Sequence, residues 1–218
     1  MNWSTVDLPV EEIYGKLNIG FTPIFKESIK NFKKVEYKRI LDIGCGYGKH
    51  SIYLSENSFI VTSIDINKQS IEWLKGYIDR KNISNINLIQ SDINDLPFEE
   101  NYFDAIICSS VIHHQNLKQI KNSIGEIYRV LKQNGCILVD FMSLEDDSFG
   151  LGEEIEKNTF IGSREGEEDI PHHYSDSNKL KELFKDFKDI EIFKNEYHIV
   201  IDSKNKIKSR MLDVLAYK

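Results

Sequence analysis

Short apolar segments alternate with segments of helical period from residue 39 onward. In the helical segments apolar residues recur three, four and seven positions apart, around 71–78, 120–131 and 180–187. This alternation predicts a parallel sheet with crossover helices. The strand-like segments are 39–43, 59–64, 87–89, 103–109 and 136–142, followed near the end of the chain by 190–193 and 211–217, with 198–201 ambiguous.

The first part of the chain has a different pattern. Thr22 and Pro23 predict the start of a helix, because proline is favoured at the first helical position. We therefore predict an N-terminal helical cap over 1–35 and one α/β domain over 36–218.

Composition adds one unusual segment to this outline. The chain has 218 residues and a net charge of −7. Residues 144–171 hold ten acidic and two basic residues, so their local charge is −8 and the rest of the chain is close to neutral. Long insertions between a strand and a helix are usually functional or disordered. We predict a lid-like acidic insert after the fifth strand.

Charge and cysteine usage exclude several classes of protein. A net negative charge disfavours a dedicated nucleic-acid binder, and no apolar run approaches the ~18 residues of a membrane span. Cys45, Cys108 and Cys136 form neither a disulfide framework nor a metal-ligand spacing. No secretory signal is visible, so we expect a cytoplasmic protein, monomeric or homodimeric, without membrane or nucleic-acid partners and without a metal site.

The strongest chemical signal is a glycine-rich turn, LDIGCGYG, at the end of the first strand. Glycines there let the backbone approach a ligand closely. Asp65 ends the second strand, 21 positions after Gly44, where a carboxylate can accept hydrogen bonds from both hydroxyls of a ribose. Asp92 follows the third strand and is placed to meet an adenine amine.

Two nucleoside cofactors compete for this pattern. A nicotinamide dinucleotide site favours G-x-G-x-x-G, with the pyrophosphate at a helix N-terminus. The spacing here is G-x-G-x-G, with Asp42 two residues before the first glycine. A carboxylate repels a pyrophosphate but attracts an ammonium or sulfonium group. The pattern therefore favours S-adenosylmethionine over the dinucleotide, with Asp42 among the cofactor-binding residues.

The chain resembles the class I, seven-strand S-adenosylmethionine-dependent methyltransferases. That resemblance implies a Rossmann-like, doubly wound, mostly parallel sheet with an antiparallel last strand. The segments that carry it are LDIGCGYG, Asp65, Ser91–Asp92–Ile93, Leu96–Pro97–Phe98, FDAIICS and Leu131 to Gly135. It also implies cofactor contacts at the strand ends: Gly44, Cys45 and Gly46 for the methionine part, Asp65 for the ribose, Ile66, Ile93 and Asp92 for the adenine, and Ser109 beneath the methyl donor.

The segment after the fourth strand bears on the acceptor. Many enzymes of this class that methylate bases or glutamine carry Asn/Asp-Pro-Pro-aromatic there, whereas this chain has Ser109 to His114, similar to small-molecule methyltransferases of the tellurite-resistance and quinone-biosynthesis types. The acidic insert also disfavours a phosphate backbone. We expect a small-molecule acceptor, with a protein or RNA methyltransferase and a non-catalytic S-adenosylmethionine-binding sensor or partner subunit as alternatives.

Histidines and aromatic residues supply the candidate acceptor contacts. His114 and His173 are candidate catalytic residues, each from an adjacent pair in which one member can face the pocket. The remaining candidates for the substrate pocket are Tyr14, His50 and His113. Packing roles are the alternative for all five, and imidazoles also suit zinc or nickel, although no ligand spacing supports a metal.

Overall fold

The structure is a computed structural model that describes residues 21–164, 166–200 and 206–218, with only the backbone described at 198–200 and at 206 and 207. Element labels follow chain order over these residues. The helices are α1 (Pro23–Lys34), α2 (Lys49–Glu56), α3 (Lys68–Lys81), α4 (Leu117–Val130) and α5 (Ser177–Leu183). The strands are β1 (Arg39–Ile43), β2 (Ile60–Asp65), β3 (Ile86–Gln90), β4 (Phe103–Cys108), β5 (Leu131–Ser143), β6 (Glu153–Glu156), β7 (Thr159–Ile161), β8 (His172–Ser175), β9 (Lys188–Val200) and β10 (Lys206–Tyr217).

The central sheet has the strand order β3-β2-β1-β4-β5, and these five strands are parallel. β10 lies antiparallel to both β5 and β9. The predicted Rossmann-like, mostly parallel α/β sheet with an antiparallel last strand is confirmed. Strand order changes direction at β1, which has β2 on one side and β4 on the other, and open α/β sheets bind ligands at such a switch point.

The register of the strands aligns their carboxyl ends. Ile43 of β1 lies opposite Ile64 of β2 and Cys108 of β4, and Cys108 lies opposite Val139 of β5. The residues that follow these positions therefore meet at one edge of the sheet.

Helices cover both faces of this sheet, because each has one apolar face. One buried cluster joins α4 and α5 to the sheet, and a second joins α1, α2 and α3 to its other face. Caps fix the helix starts: Thr22 accepts from the Phe25 amide, Asn67 caps α3, and Asn116 with Gln119 forms a capping box on α4.

The acidic insert forms strands that the sequence pattern does not predict. β6 and β7 form a hairpin, β7 pairs antiparallel with β8, and β8 continues the central sheet beside β5. The strands Glu153–Glu156 and His172–Ser175 could not be predicted from the sequence, because these polar segments lack the enrichment in β-branched and aromatic residues that is usual in strands. Closure of the insert over a ligand stays a prediction.

The C-terminal elements also differ from the pattern in their bounds. The segments 190–193 and 198–201 belong largely to one strand, β9, and the helix expected to reach residue 187 ends at Leu183. Among the described residues, no helix is long and apolar enough to cross a bilayer. The domain bounds 1–35 and 36–218 remain predictions, since residues 1–20, including Tyr14, lie outside the described residues.

Candidate cofactor and acceptor site

A cavity of about 650 Å³ opens at the carboxyl ends of β1, β2, β4 and β5. Its volume is within the range of small-molecule and cofactor pockets. One end, which we name the ribose end, is lined by the turn after β1 and by the residues that follow β2 and β3. The other, the insert end, is lined by residues after β4 and β5, by Ile170 and Pro171 of the insert, and by β9 and β10.

At the glycine turn, backbone atoms without side chains line this cavity. Gly44 has φ +66°, and a Cβ on it would lie 2.1 Å from a methyl carbon of Val111. Gly46 has φ +51°, and a Cβ there would meet no atom within 4 Å. Gly44 is therefore required by the fold, whereas Gly46 leaves open a space that a ligand can fill.

Asp65 is held at the ribose end by backbone amides. Its Oδ2 accepts from the Gly46 amide and its Oδ1 from the Asn67 amide, both at 2.8 Å. Burial raises the pKa of Asp65, although these bonds oppose the shift. Each carboxylate oxygen has a second lone pair, so Asp65 can accept further hydrogen bonds from a ligand.

The other predicted ribose-end residues also line the cavity. Ile66 is 39% exposed, and Ile93 is 7% exposed, so they form an apolar boundary beside Asp65. Asp92 is exposed at the rim, where its Oδ1 accepts from the amide and the side-chain nitrogen of Asn94. Cys45 lines the cavity as well, and its amide donates to the Ile64 carbonyl at 2.9 Å.

The structure places Asp42 away from the cavity, although the sequence predicts it among the cofactor-binding residues. It is not among the described residues that line the cavity, because its side chain leaves β1 toward α2 and accepts a 2.5 Å hydrogen bond from Ser51. Ser63 donates to Ser51 in turn. Burial raises the pKa of Asp42 to about 7. The electrostatic argument that linked Asp42 directly to a cationic ligand therefore does not describe this geometry.

Two further carboxylates line the insert end, and the sequence pattern gave no signal for either. Ser109 donates to Asp140 at 2.7 Å, and the Ser110 amide donates to its other oxygen at 2.6 Å. Asp213 lies directly opposite Asp140 across β10 and β5. Its Oδ2 is buried without a hydrogen-bond partner among the described residues. Burial raises the pKa of Asp140 to about 6 and, with the charge of Asp140, that of Asp213 to about 7.

Of the predicted histidines, His114 and His50 line the cavity. Burial lowers the pKa of His50 to about 3, and its ring packs on Phe21 and Phe25. Burial also lowers the pKa of His114 well below its usual value, which keeps its imidazole neutral. His114 therefore presents a neutral ring to the insert end.

His113 and His173 lie behind the cavity wall. His113 is 4% exposed, packs on the ring of His114, and has its pKa lowered to about 3 by burial. His173 turns toward β7, where its Nδ1 lies 2.7 Å from the hydroxyl of Thr159. Neither is among the described residues that line the cavity, and the catalytic role of His173 and the pocket role of His113 stay predictions.

Comparison with known proteins bears on the class of the protein. Residues 40–135 match the family model described as a methyltransferase domain. The family match, the named relatives and the fold together support a class I S-adenosylmethionine-dependent methyltransferase, with S-adenosylmethionine as the cofactor.

Particular relatives agree with this class. The chain is 28% identical to a probable S-adenosyl-L-methionine-dependent methyltransferase, TehB, of Haemophilus influenzae, over 95% of this chain and 67% of that one. It is 32% identical to the ubiquinone biosynthesis O-methyltransferase of Rickettsia akari over 52% of this chain and 43% of that one.

Two crystal structures share the fold. One is a SAM-dependent methyltransferase of Methanosarcina mazei, with a TM-score of 0.71, 21% identity, and coverage of 92% of this chain and 99% of that chain. The other is TehB of Haemophilus influenzae, with a TM-score of 0.66, 24% identity, and coverage of 95% and 67%. At these identities the likeness establishes the fold alone.

Proposed function

We propose that the protein transfers the methyl group of S-adenosylmethionine to a small-molecule acceptor. The observation that carries this proposal is the continuity of the cavity. Its ribose end offers glycine backbone and Asp65, and its insert end is walled by the insert and the last two strands. Cofactor and acceptor can therefore meet within one cavity of about 650 Å³.

The ribose end fits the cofactor in three respects. The space beside Gly46 admits the methionine part against bare backbone. Asp65 retains lone pairs for the ribose hydroxyls, and charge-assisted hydrogen bonds of this kind are the strong ones. Ile66 and Ile93 offer an apolar slot for the adenine, with Asp92 at the rim to accept from its amine.

The insert end favours an acceptor that is neutral or cationic. Asp140 and Asp213 line it, and among the described lining residues the only lysine or arginine is Lys49, on α2. A phosphate backbone would meet carboxylates there without a matching cation. TehB and the quinone-biosynthesis relative are named as methyltransferases, the latter for transfer to oxygen, which supports a small acceptor for this chain as well.

The bound cofactor supplies a methyl group activated by a sulfonium sulfur. The chain's own contribution is to orient the two reactants and to exclude water, which together account for much of the rate in such a displacement. Ser109, fixed by Asp140, lines the insert end of the cavity. His114 lines the insert end and is placed to receive the proton when the acceptor has one to lose.

Turnover by the purified chain tests the proposal. We expect S-adenosylhomocysteine to form with the small-molecule fraction of a cell extract and not with its protein or RNA fraction. His114→Gln is expected to lower kcat at least about tenfold, with His113→Gln as the neighbouring control that leaves kcat within a few fold.

The other outcomes identify the alternatives. Product formed only with the macromolecular fraction would assign a protein or RNA acceptor. Cofactor binding without turnover on any fraction would contradict catalysis and leave a sensor or partner subunit. The three cysteines are free and buried, which agrees with the reducing, cytoplasmic setting that remains part of this proposal.

A further inference from the structure

Three side chains that can bind a metal ion meet beside the insert end of the cavity. His114 comes from the segment after β4, Glu167 from the insert, and His172 from the start of β8. One ligand atom from each lies within 4.8 Å of the other two. Nε2 of His172 lies 2.7 Å from Oε2 of Glu167, and the rings of His172 and His114 meet edge to face at 4.8 Å.

The backbone holds these segments together. The amide of His173 donates to the carbonyl of His113 at 2.7 Å, which places the neighbouring residues His172 and His114 side by side. The turn that contains Glu167 is closed by the amide of Ile170, which donates to the Glu167 carbonyl at 3.0 Å. The cluster is therefore built by the fold and does not depend on long, mobile side chains alone.

Buried polar contacts anchor the insert on the other side of Glu167. Arg164 donates to Asp146 at 3.1 Å and to Ser209 of β10 at 2.9 Å. Arg164 precedes Glu167 by three residues, and its carbonyl accepts from the Glu167 amide at 3.2 Å. The backbone at Glu167 is thus tied to the last strand of the sheet through Arg164.

The cluster adjoins the cavity. His114 itself is a lining residue, and so are Ile170 and Pro171, which connect Glu167 to His172. His172 is fully buried and Glu167 is partly exposed. An ion held by the three side chains would have protein on one side and the acceptor end of the cavity on the other.

We propose that His114, Glu167 and His172 bind one divalent transition-metal ion of the zinc class. Two imidazoles and one carboxylate form a donor set typical of catalytic zinc and non-haem iron sites, which keep a further position open. Ligand atoms around a tetrahedral zinc lie about 3.4 Å apart, given bonds of about 2.1 Å. Small side-chain shifts from the present separations reach that arrangement.

The open position would face the acceptor. An ion there would hold a lone-pair-bearing group of the acceptor, such as a hydroxyl or carbonyl oxygen, against the wall of the cavity. This part of the inference rests on the proposed function, whereas metal binding itself does not. His114 would then contact the acceptor through the ion and no longer as the proton acceptor.

Titration of the untagged, chelator-treated chain with Zn²⁺ and with Co²⁺ tests metal binding without any acceptor. We expect one ion per chain by calorimetry, and visible Co²⁺ absorption typical of nitrogen and oxygen ligands. Glu167→Gln and His172→Gln are expected to weaken binding of either ion at least about tenfold. Glu168→Gln is the matched control, because Glu168 is the adjacent glutamate, is exposed and accepts from the Gly166 amide away from the cluster.

Affinity for S-adenosylhomocysteine serves as the check that each variant is folded. If His172→Gln fails this check, Glu167→Gln decides alone, since Glu167 is partly exposed. Absence of stoichiometric binding, or equal affinity in Glu167→Gln and Glu168→Gln, would overturn the inference.

The outcomes also separate this inference from the proposed function. A chain that methylates a small molecule equally well before and after chelation, and binds no ion, loses the metal site and keeps the proposed function. A chain that binds an ion through these residues but turns over no small molecule keeps the site and loses the proposed function.

Discussion

The two ends of the cavity are built in different ways. The ribose end comes from one continuous stretch, residues 43–94, whose contributing residues lie at the ends of parallel strands or in the turns and helices that follow them. The insert end collects residues from the segment after β4, from β5, from the insert and from β9 and β10. One end is local in sequence, and the other depends on long-range assembly.

The electrostatics of the two ends differ as well. Asp65 accepts two backbone hydrogen bonds, which stabilise its anion. Asp213 has a buried carboxylate oxygen without a described hydrogen-bond partner, and it lies beside Asp140 of the neighbouring strand β5. The carboxylate of Asp65 at the ribose end is thus stabilised as an anion that can bind one ligand in a fixed position. At the insert end, Asp140 and Asp213 gain or lose protons near neutral pH.

The largest effect is expected from Asp65→Ala. Loss of two charge-assisted hydrogen bonds to the ribose, reduced by re-entry of water, is expected to weaken cofactor binding by about 2–4 kcal/mol. Calorimetric titration with S-adenosylhomocysteine measures it. Asp213→Asn is the control at the insert end and is expected to leave this affinity unchanged. Equal losses in both variants would remove the distinction between the two ends.

Gly44→Ala and Gly46→Ala separate two uses of the glycine turn. Gly44→Ala is expected to lower the free energy of unfolding by about 2–3 kcal/mol, because its Cβ would overlap Val111 at a positive φ. Gly46→Ala is expected to have a smaller effect on stability and to weaken cofactor binding, because its Cβ enters open space. Denaturant unfolding and cofactor titration measure the two effects, and the reverse ranking for stability would contradict this geometry.

Asp213→Asn gives a pH dependence with a definite sign. The pKa of Asp213 is about 7 in the folded chain, above the ordinary value of about 3.9, so the folded state holds more protons between these limits. The stability that this group contributes is complete below pH ~4 and is lost as pH rises through ~7.

Asparagine does not titrate, so the variant escapes this loss. Its unfolding free energy relative to the wild type is expected to rise by about 2 kcal/mol between pH ~5 and pH ~8. Denaturant unfolding at the two pH values measures the change. A relative stability that is flat or falls with pH would show that Asp213 is ionised at little cost.

Ser109→Ala has the smallest expected effect. It removes the 2.7 Å hydrogen bond to Asp140, which retains the bond from the Ser110 amide. Loss of one hydrogen bond of this kind corresponds to about 1 kcal/mol, or about fivefold in kcat/KM for the acceptor. Steady-state kinetics measure it, with cofactor affinity as the internal control. A loss in cofactor affinity alone would assign Ser109 to the ribose end.

The same difference between the two ends explains what the sequence could predict. The first five strands and the residues at their carboxyl ends, such as Gly44 and Asp65, follow from local pattern because parallel strands end at one edge. β8 and the facing pair Asp140 and Asp213 do not, because neither a local spacing nor a periodicity records which distant strands become neighbours. The direction of the His173 ring, toward Thr159, could not be predicted for a related reason: alternation tells which side chains share a face, but not which face meets the cavity.

A crystal structure grown with S-adenosylhomocysteine tests the central claim most directly. We expect the ribose hydroxyls within about 3 Å of the Asp65 carboxylate oxygens, with the amino-acid part beside Gly46 and the sulfur directed toward the insert end. A ribose bound away from Asp65, or a ligand that occupies only the insert end, would contradict the account.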